Sequence, residues 1–450
     1  MERVKPRTLS GFMELLPAAQ TYFDAIEQSL RDSFSLYGFT PLDTPLMEAA
    51  EILLAKGGGE TEKQIYSLRK GDNDLALRYE LTASLAKYVA LNYDRLAFPF
   101  RRYEIGKVFR GERAQRGRFR EFYQADIDII GDGRLDILNE AEIPSVIYEC
   151  FSSLGLGQFT ISFNNRKALS GFLEIVGLGA AAADVLRLVD KLPKIGAEKL
   201  SAVLSDDIGL SAAQIDEILG YITHQGDPFE ILEKYKGRNE MFDLGAYELA
   251  AVKQHIAGFG VPDSNIKIDL TIARGLDYYT GTVYETFLSE HPEVGSVCSG
   301  GRYDNLAECF IDRKLPGVGI SIGLTRLFYI LQEQGLLNDA MLTSPVDVLI
   351  VPMTDDFSHA TALATLMRGS GLRTQIYGEN RKLRTKLTYA DKLGAPFVVF
   401  LGEDEISRGL ITVRDMTDGN QTTSSAGLLT TGMAQKIKTL RSGTPVAVNP

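Results

Sequence analysis

Cysteine is scarce, with Cys150, Cys298 and Cys309 the only three in 450 residues. Their odd number and lack of metal-ligand spacing exclude a disulfide framework and suit a reducing cytoplasm, so each reads as a small buried hydrophobe. No run of about 18 apolar residues is present, which excludes a membrane-spanning helix. The opening MERVKPRTLSGFMELL has no apolar signal region and no cleavage-like site, so a cytoplasmic location is expected. There is no P-loop, no GxGxxG between strand and helix, and no His-rich metal spacing, so no resident metal is expected. Internal repeats and sizeable low-complexity segments are also lacking. What remains is ordinary globular material, 44% apolar and 24% charged, long enough for two to four domains. The net charge of -11 argues against indiscriminate polyanion binding, but it is unevenly spread: residues 345–450 carry +2 and the rest -13.

The stretch RRYEIGKVFRGERAQRGRFREFYQADIDIIG, residues 101–131, stands against that acidity. Its first 20 residues hold eight Lys/Arg and two Glu. Residues 103–109 and 119–130 read as strands, and Phe119, Tyr123, Ala125, Ile127 and Ile129 alternate onto one face. The basic loop between them can clamp a polyphosphate, because arginine offers paired donors that match phosphate oxygens. Upstream, Tyr22, Ile26, Leu30, Phe34 and Tyr37 space out an amphipathic helix over 17–37. A short strand over 39–42 and Thr44-Pro45 follow. Residues 64–68 and 74–78 predict a strand pair, and Glu80 precedes a helix beginning at Thr82. Residues 164–259 carry helical patterns only: 168–176, 181–192, 197–204, 211–222, 228–235 and 246–258. A half-buried strand is predicted where Ile266, Ile268, Leu270 and Ile272 alternate with polar residues. ARGLDYYTG follows, then VCSGGRYDNL and the strand-to-helix run VGISIGLTRLFYIL. From 345 onward, strands at 346–352, 373–377 and 397–401 alternate with helices at 356–369 and 381–393. A strand pair at 411–415 and 421–424 and a final helix at 428–440 complete a three-layer α/β domain with a mixed sheet.

FRGER with GRFREFYQ resembles motif 2 of class II aminoacyl-tRNA synthetases. The first helix, strand and Pro45 resemble motif 1, and GLTRLFYIL resembles motif 3. The segment IKIDLTIARGLDYYTGTVYETF is similar to that of histidyl-tRNA synthetases, and other class II members lack ARGLDYYTG. LRYELT is worded like the eukaryotic and archaeal-like branch. The C-terminal part looks like the anticodon-binding domain of the histidyl, threonyl, prolyl and glycyl enzymes. The implied fold is an α+β catalytic domain, an antiparallel sheet flanked by helices, from 1–163 and 260–335. A helical insertion at 164–259, a linker at 336–344 and the anticodon-binding domain at 345–450 follow.

The resemblance implies activation of L-histidine by ATP to histidyl-adenylate, then transfer to the 3' end of tRNA(His). Arg110 would grip the α-phosphate and the histidine carboxylate, and Arg274 would face the α-phosphate from the other side. Glu112 would take the adenine amino group, Arg118 the γ-phosphate, and Arg326 the adenine face. Mg2+ would bridge the outer phosphates. Glu80, Thr82 and Gln124 would hold the α-amino group. Asp128 would take an imidazole proton, with Tyr279 and Tyr303 on the ring's other side and Tyr278 beside them. Many members have Glu before the motif 3 arginine, where this chain has Thr325. Arg381, Lys382, Arg384 and Lys386 would meet tRNA phosphates, although a solvated helix face explains them equally well. Motif 1 implies a homodimer. The rival of a different class is a paralogue that binds histidine as the regulatory subunit of ATP phosphoribosyltransferase. Such paralogues lack the C-terminal domain and usually lose the catalytic arginines, which are present here. A different class II synthetase is the second rival, and residues 273–285 argue against it.

Overall fold

The computed structural model describes residues 3–55, 63–114, 117–273, 278–441 and 443–447. They fall into two compact units, one built on Ile26–Leu336 and the other on Leu337–Ala447 with Leu15–Ala25. The first helix runs Pro17–Leu36, and Phe23, Ile26, Leu30 and Phe34 are its buried apolar residues.

The first unit is centred on an eight-stranded sheet. Its strands are β1 (Thr40–Pro41), β5 (Phe100–Phe109), β6 (Glu121–Ile130), β7 (Phe159–Asn165), β8 (Ile266–Ile268), β9 (Thr282–Leu288), β10 (Cys298–Tyr303) and β11 (Gly317–Ile322). A smaller sheet holds β2 (Met47–Ala49), β3 (Ser67–Lys70) and β4 (Asn73–Leu77) in the order β2-β4-β3. The large sheet has the order β1-β5-β6-β11-β10-β9-β7-β8. β5 and β6 form the expected hairpin, in register from Phe100 opposite Ile130 to Phe109 opposite Glu121. The sheet is not wholly antiparallel, as its composition of motifs implied. β1 runs parallel to β5, and β8 parallel to β7. Parallel neighbours need a crossover connection. For β7 and β8 that crossover is the helical segment from Arg166 to Gly258. Its helices pack on an aromatic centre in which Phe172 and Tyr221 stack at 4.1 Å.

The strand predicted through Ile272 stops at Ile268. Asp269 ends it: its Oδ1 accepts from the Thr271 N–H at 3.0 Å and hydroxyl at 2.6 Å, turning the chain out of extended geometry. Leu270 and Ile272 stay buried even so.

The second unit has β12 (Val348–Pro352), β13 (Thr374–Ile376), β14 (Phe397–Leu401), β15 (Leu410–Asp415) and β16 (Gln421–Ser425), in the order β13-β12-β14-β15-β16. β12 is parallel to β13 and β14, whereas β15 and β16 continue antiparallel, which gives the mixed sheet expected. Helices Ser358–Gly369, Leu383–Leu393 and Ala426–Arg441 accompany it. The short helix Glu403–Arg408 was not anticipated from the sequence. Among the described residues no helix is long and apolar enough to cross a membrane.

Candidate active site

β6 carries the site on one face. Gln124, Asp126 and Asp128 recur every second residue, so they point the same way, while Ala125, Ile127 and Ile129 fill the core on the other side. Alternation predicted the apolar face. It did not predict that the polar face is buried too. That face forms the floor of a cavity of about 290 Å³. Glu80, Thr82, Arg110, Gln124, Asp128, Tyr278, Tyr279 and Tyr303, the described residues that the resemblance assigns to histidine, all line it. Arg274, assigned there as well, lies outside the described residues.

Room for this cluster comes from β11. Gly319 pairs with Asp128, and a Cβ on it would come 2.2 Å from Asp128 Oδ1. Gly317 pairs with Tyr303, and a Cβ there would come 2.3 Å from the tyrosine ring. The ring therefore lies flat against β11. Its hydroxyl donates to Asp128 Oδ1 at 2.6 Å. Tyr303, expected on the far side of the histidine ring from Asp128, is thus hydrogen-bonded to Asp128 itself. The other oxygen of Asp128 faces Arg102 Nη2 at 2.6 Å. Burial raises the Asp128 carboxyl to about 6, against the opposing pull of Arg102 and the Tyr303 hydrogen bond. Glu80 is also raised by burial, with the Tyr278 hydrogen bond and Arg110 working the other way. The Tyr278 hydroxyl reaches Glu80 Oε2 at 3.0 Å. Glu80 Oε1 and Gln124 Oε1 are buried acceptors without a hydrogen-bond partner among the described residues.

A second cavity, of about 360 Å³, adjoins the first and shares Arg110, Gln124, Ser299 and Ser321 with it. Arg110 thus stands on the wall common to both. Its Nε donates to the Tyr79 carbonyl at 3.1 Å, and its guanidinium lies 5.3 Å from the Phe122 ring centre. Glu112, Arg118 and Arg326 line this second space. Glu112 and Arg118 face each other at 3.6 Å. Arg326 is braced by the carbonyls of Ser296, at 2.9 Å, and Val294.

Thr325, where relatives of this motif carry an acid, has a definite task. β6 pairs with β11 only as far as Ala125 opposite Ile322. Beyond that point the Thr325 hydroxyl accepts the Tyr123 N–H at 2.8 Å and ties the helix Leu324–Glu333 to the strand. Thr325→Val keeps the shape and removes this acceptor. It is expected to lower unfolding stability by about 1–2 kcal/mol, read by denaturant titration.

Two features escaped the sequence reading. Arg102 falls within the basic run of residues 101–120, yet it is fully buried. Asp126 was passed over, although its even-numbered place between Gln124 and Asp128 was the available signal. Lys386 is a correction of the opposite kind. Its amino group is buried and donates to the Pro352 carbonyl at 2.8 Å, because the first helical turn aims it inward over the end of β12. Arg381, Lys382 and Arg384 are exposed.

Comparison with known proteins accords with this geometry. The family profile described as Histidyl-tRNA synthetase matches residues 11–327, and that of an anticodon binding domain matches 347–433. The chain is 51% identical over 428 residues to a Histidine--tRNA ligase of Clostridium tetani (strain Massachusetts / E88), covering 94% of this chain and 96% of the relative. It is 46% identical to a Histidine--tRNA ligase of Finegoldia magna, covering 93% and 97%. A crystal structure of histidyl-tRNA synthetase from Nostoc sp. PCC 7120 superposes with a TM-score of 0.86 at 38% identity, over 97% of this chain and all of that one. These relatives are bacterial, so the comparisons do not support the eukaryotic and archaeal-like wording noted for LRYELT.

Proposed function

The chain belongs to the histidyl-tRNA synthetase family, and from that premise we propose how its two cavities divide the work. The enzyme activates L-histidine with ATP, releasing pyrophosphate, and transfers the histidyl group to tRNA(His). The carrying observation is the common wall: Arg110 and Gln124 border both spaces, so an amino acid in one and a nucleotide in the other meet there. The chemistry asks for in-line placement and charge stabilisation more than for covalent help.

Histidine would occupy the smaller cavity. Glu80 Oε1 and Gln124 Oε1, unpartnered among the described residues, suit its ammonium group, and Thr82 lines the same cavity. Asp128 would receive the ring N–H, with Tyr279 and Tyr303 closing around the ring. ATP would occupy the larger cavity, its adenine under Arg326 and near Glu112, its γ-phosphate at Arg118. Arg110 would hold the α-phosphate and the histidine carboxylate, opposed by Arg274. Mg2+ would arrive on the outer phosphates and offset their charge. Glu112 is the one carboxylate among the described residues lining the ATP side, which fits an ion carried by the substrate better than one held by the protein. A cytoplasmic homodimer, joined through the motif 1 region, completes the proposal.

Amino-acid-dependent ATP–pyrophosphate exchange tests it. Exchange with histidine alone supports the assignment, and exchange driven by another amino acid overturns it. Histidine binding without exchange would favour the regulatory-subunit alternative. The C-terminal domain and the retained Arg110, Arg118 and Arg326 weigh against that alternative.

Of the four cations first assigned to tRNA, Arg381, Lys382 and Arg384 remain proposed partners of its phosphates. The double variant Arg381→Ala/Arg384→Ala is expected to weaken tRNA binding and to shrink the slope of log affinity against log salt by about 1 for each phosphate no longer neutralised. Pyrophosphate exchange, which needs no tRNA, should be unchanged. An unaltered salt slope would return these residues to a merely solvated face.

A further inference from the structure

Asp126 has no part in the assignments above, yet it lies on the floor of the histidine cavity between Gln124 and Asp128. It is 3% exposed, and its Oδ1 is buried without a hydrogen-bond partner among the described residues. A buried polar atom left open is costly, and natural structures rarely leave one without a use. We propose that Asp126 is a specificity-determining residue of this pocket, its carboxyl group holding one nitrogen of the histidine ring while Asp128 holds the other. The inference deepens the functional reading and rests on histidine being the substrate.

The spacing suits the task. Residues two apart on one strand face are separated by about 7 Å. An imidazole bridging two carboxyl groups, with a hydrogen bond of about 2.8 Å at each nitrogen, needs a similar span. The cavity also has an order. Gln124 borders the ATP side, whereas Asp126 and Asp128 line only the histidine side, where the ring must lie if the carboxylate is to reach Arg110.

The two acids differ in what surrounds them. Asp128 has Arg102 at 2.6 Å and the Tyr303 hydroxyl, so it is the ionised acceptor. Asp126 faces Glu104 across the β5 pairing and Ser321 across β11. Arg102, Asp128 and Glu80 act on it electrostatically, and its own field reaches Tyr279 and Cys298. Burial outweighs the help of Arg102 and raises its carboxyl to about 8. At neutral pH Asp126 is therefore a donor. A neutral imidazole carries one N–H and one lone pair. Asp128 accepts from the first, and Asp126 donates to the second. The Ser321 hydroxyl, which accepts Gln124 Nε2 at 2.5 Å, supports the Asp126 carboxyl from the neighbouring strand.

The test is the KM for histidine and for ATP in pyrophosphate exchange, from pH 6.5 to 9.5, for the wild type, Asp126→Ala and Asp126→Asn. Asp126→Ala should raise the histidine KM about 10- to 100-fold at pH 7 and leave the ATP KM unchanged. Asp126→Asn still offers a donor and should stay within a few-fold. In the wild type the histidine KM should climb above pH 8 as Asp126 ionises and loses its proton. The Asn variant should lack that climb, while titration of the substrate's amino group is common to both. An unchanged histidine KM in Asp126→Ala overturns the proposal. So does an Asn variant that loses histidine affinity at every pH, or one that follows the wild-type pH profile. Wild-type exchange driven by another amino acid would instead overturn the functional reading itself.

Discussion

Replacing Arg110 by alanine is expected to lower histidine-dependent pyrophosphate exchange by about 100- to 1000-fold, the scale of losing one pre-set donor to a charged transition state. The residue stands on the wall shared by the two cavities. Its Nε is held by the Tyr79 carbonyl and its plane rests near Phe122, so the end of the guanidinium is aimed before any substrate arrives. An orientation already fixed costs no reorganisation during the reaction. The loss should therefore fall mainly on kcat. Arg110→Lys should rescue little, since an ammonium lacks the paired donors that can bridge a carboxylate and a phosphate. Stability should hardly change, because the side chain is not fully buried and makes one hydrogen bond to the described residues. A loss below tenfold, or one confined to the ATP KM, would move Arg110 out of the chemistry and into nucleotide binding.

The sequence showed where chemistry sits better than what supports it. The motif 2 hairpin was legible because a basic run between two alternating segments has few other readings. Glu80, Gln124 and Tyr278 were legible only through resemblance, since each alone is an ordinary strand-end or aromatic residue. Arg102 and Asp126 were hidden for a physical reason. Period-two alternation marks polar residues as outward, and it fails when the outward face is roofed by Tyr278, Tyr279 and Tyr303. Lys386 failed likewise, since neither charge nor helical position says which way a long stem will bury its tip. The end of β8 turned on a single Asp269 side chain competing for backbone donors, which an alternating apolar pattern does not register.

Arg102→Met is expected to destabilise the fold by about 3–5 kcal/mol, the range for removing one partner of a buried ion pair. The guanidinium is fully buried, lying 2.6 Å from Asp128 and 3.7 Å from Glu104. Glu104 faces Arg102 with Oε2 but stays anchored through its other oxygen. That Oε1 takes the Thr44 N–H, the Thr44 hydroxyl and Arg78 Nη1, each at 2.8 Å. Asp128 is left with less, because the Tyr303 hydroxyl is its only other hydrogen-bond partner among the described residues. The cost should depend on pH with a definite sign. In the wild type the Asp128 carboxyl sits at about 6 and Arg102 pulls it down. Without Arg102 it moves higher, the acid is neutral over a wider range, and the folded variant binds a proton that the unfolded chain releases. Stability of the variant relative to wild type should therefore fall as pH rises above about 6. Denaturant unfolding at several pH values measures this. Adding Asp128→Asn should recover part of the loss and flatten its pH dependence, since the uncompensated charge is then gone. A small, pH-independent loss in Arg102→Met would mean that Asp128 does not depend on Arg102 for its charge. The acceptor role assigned to Asp128 opposite Asp126 would then lose its electrostatic basis.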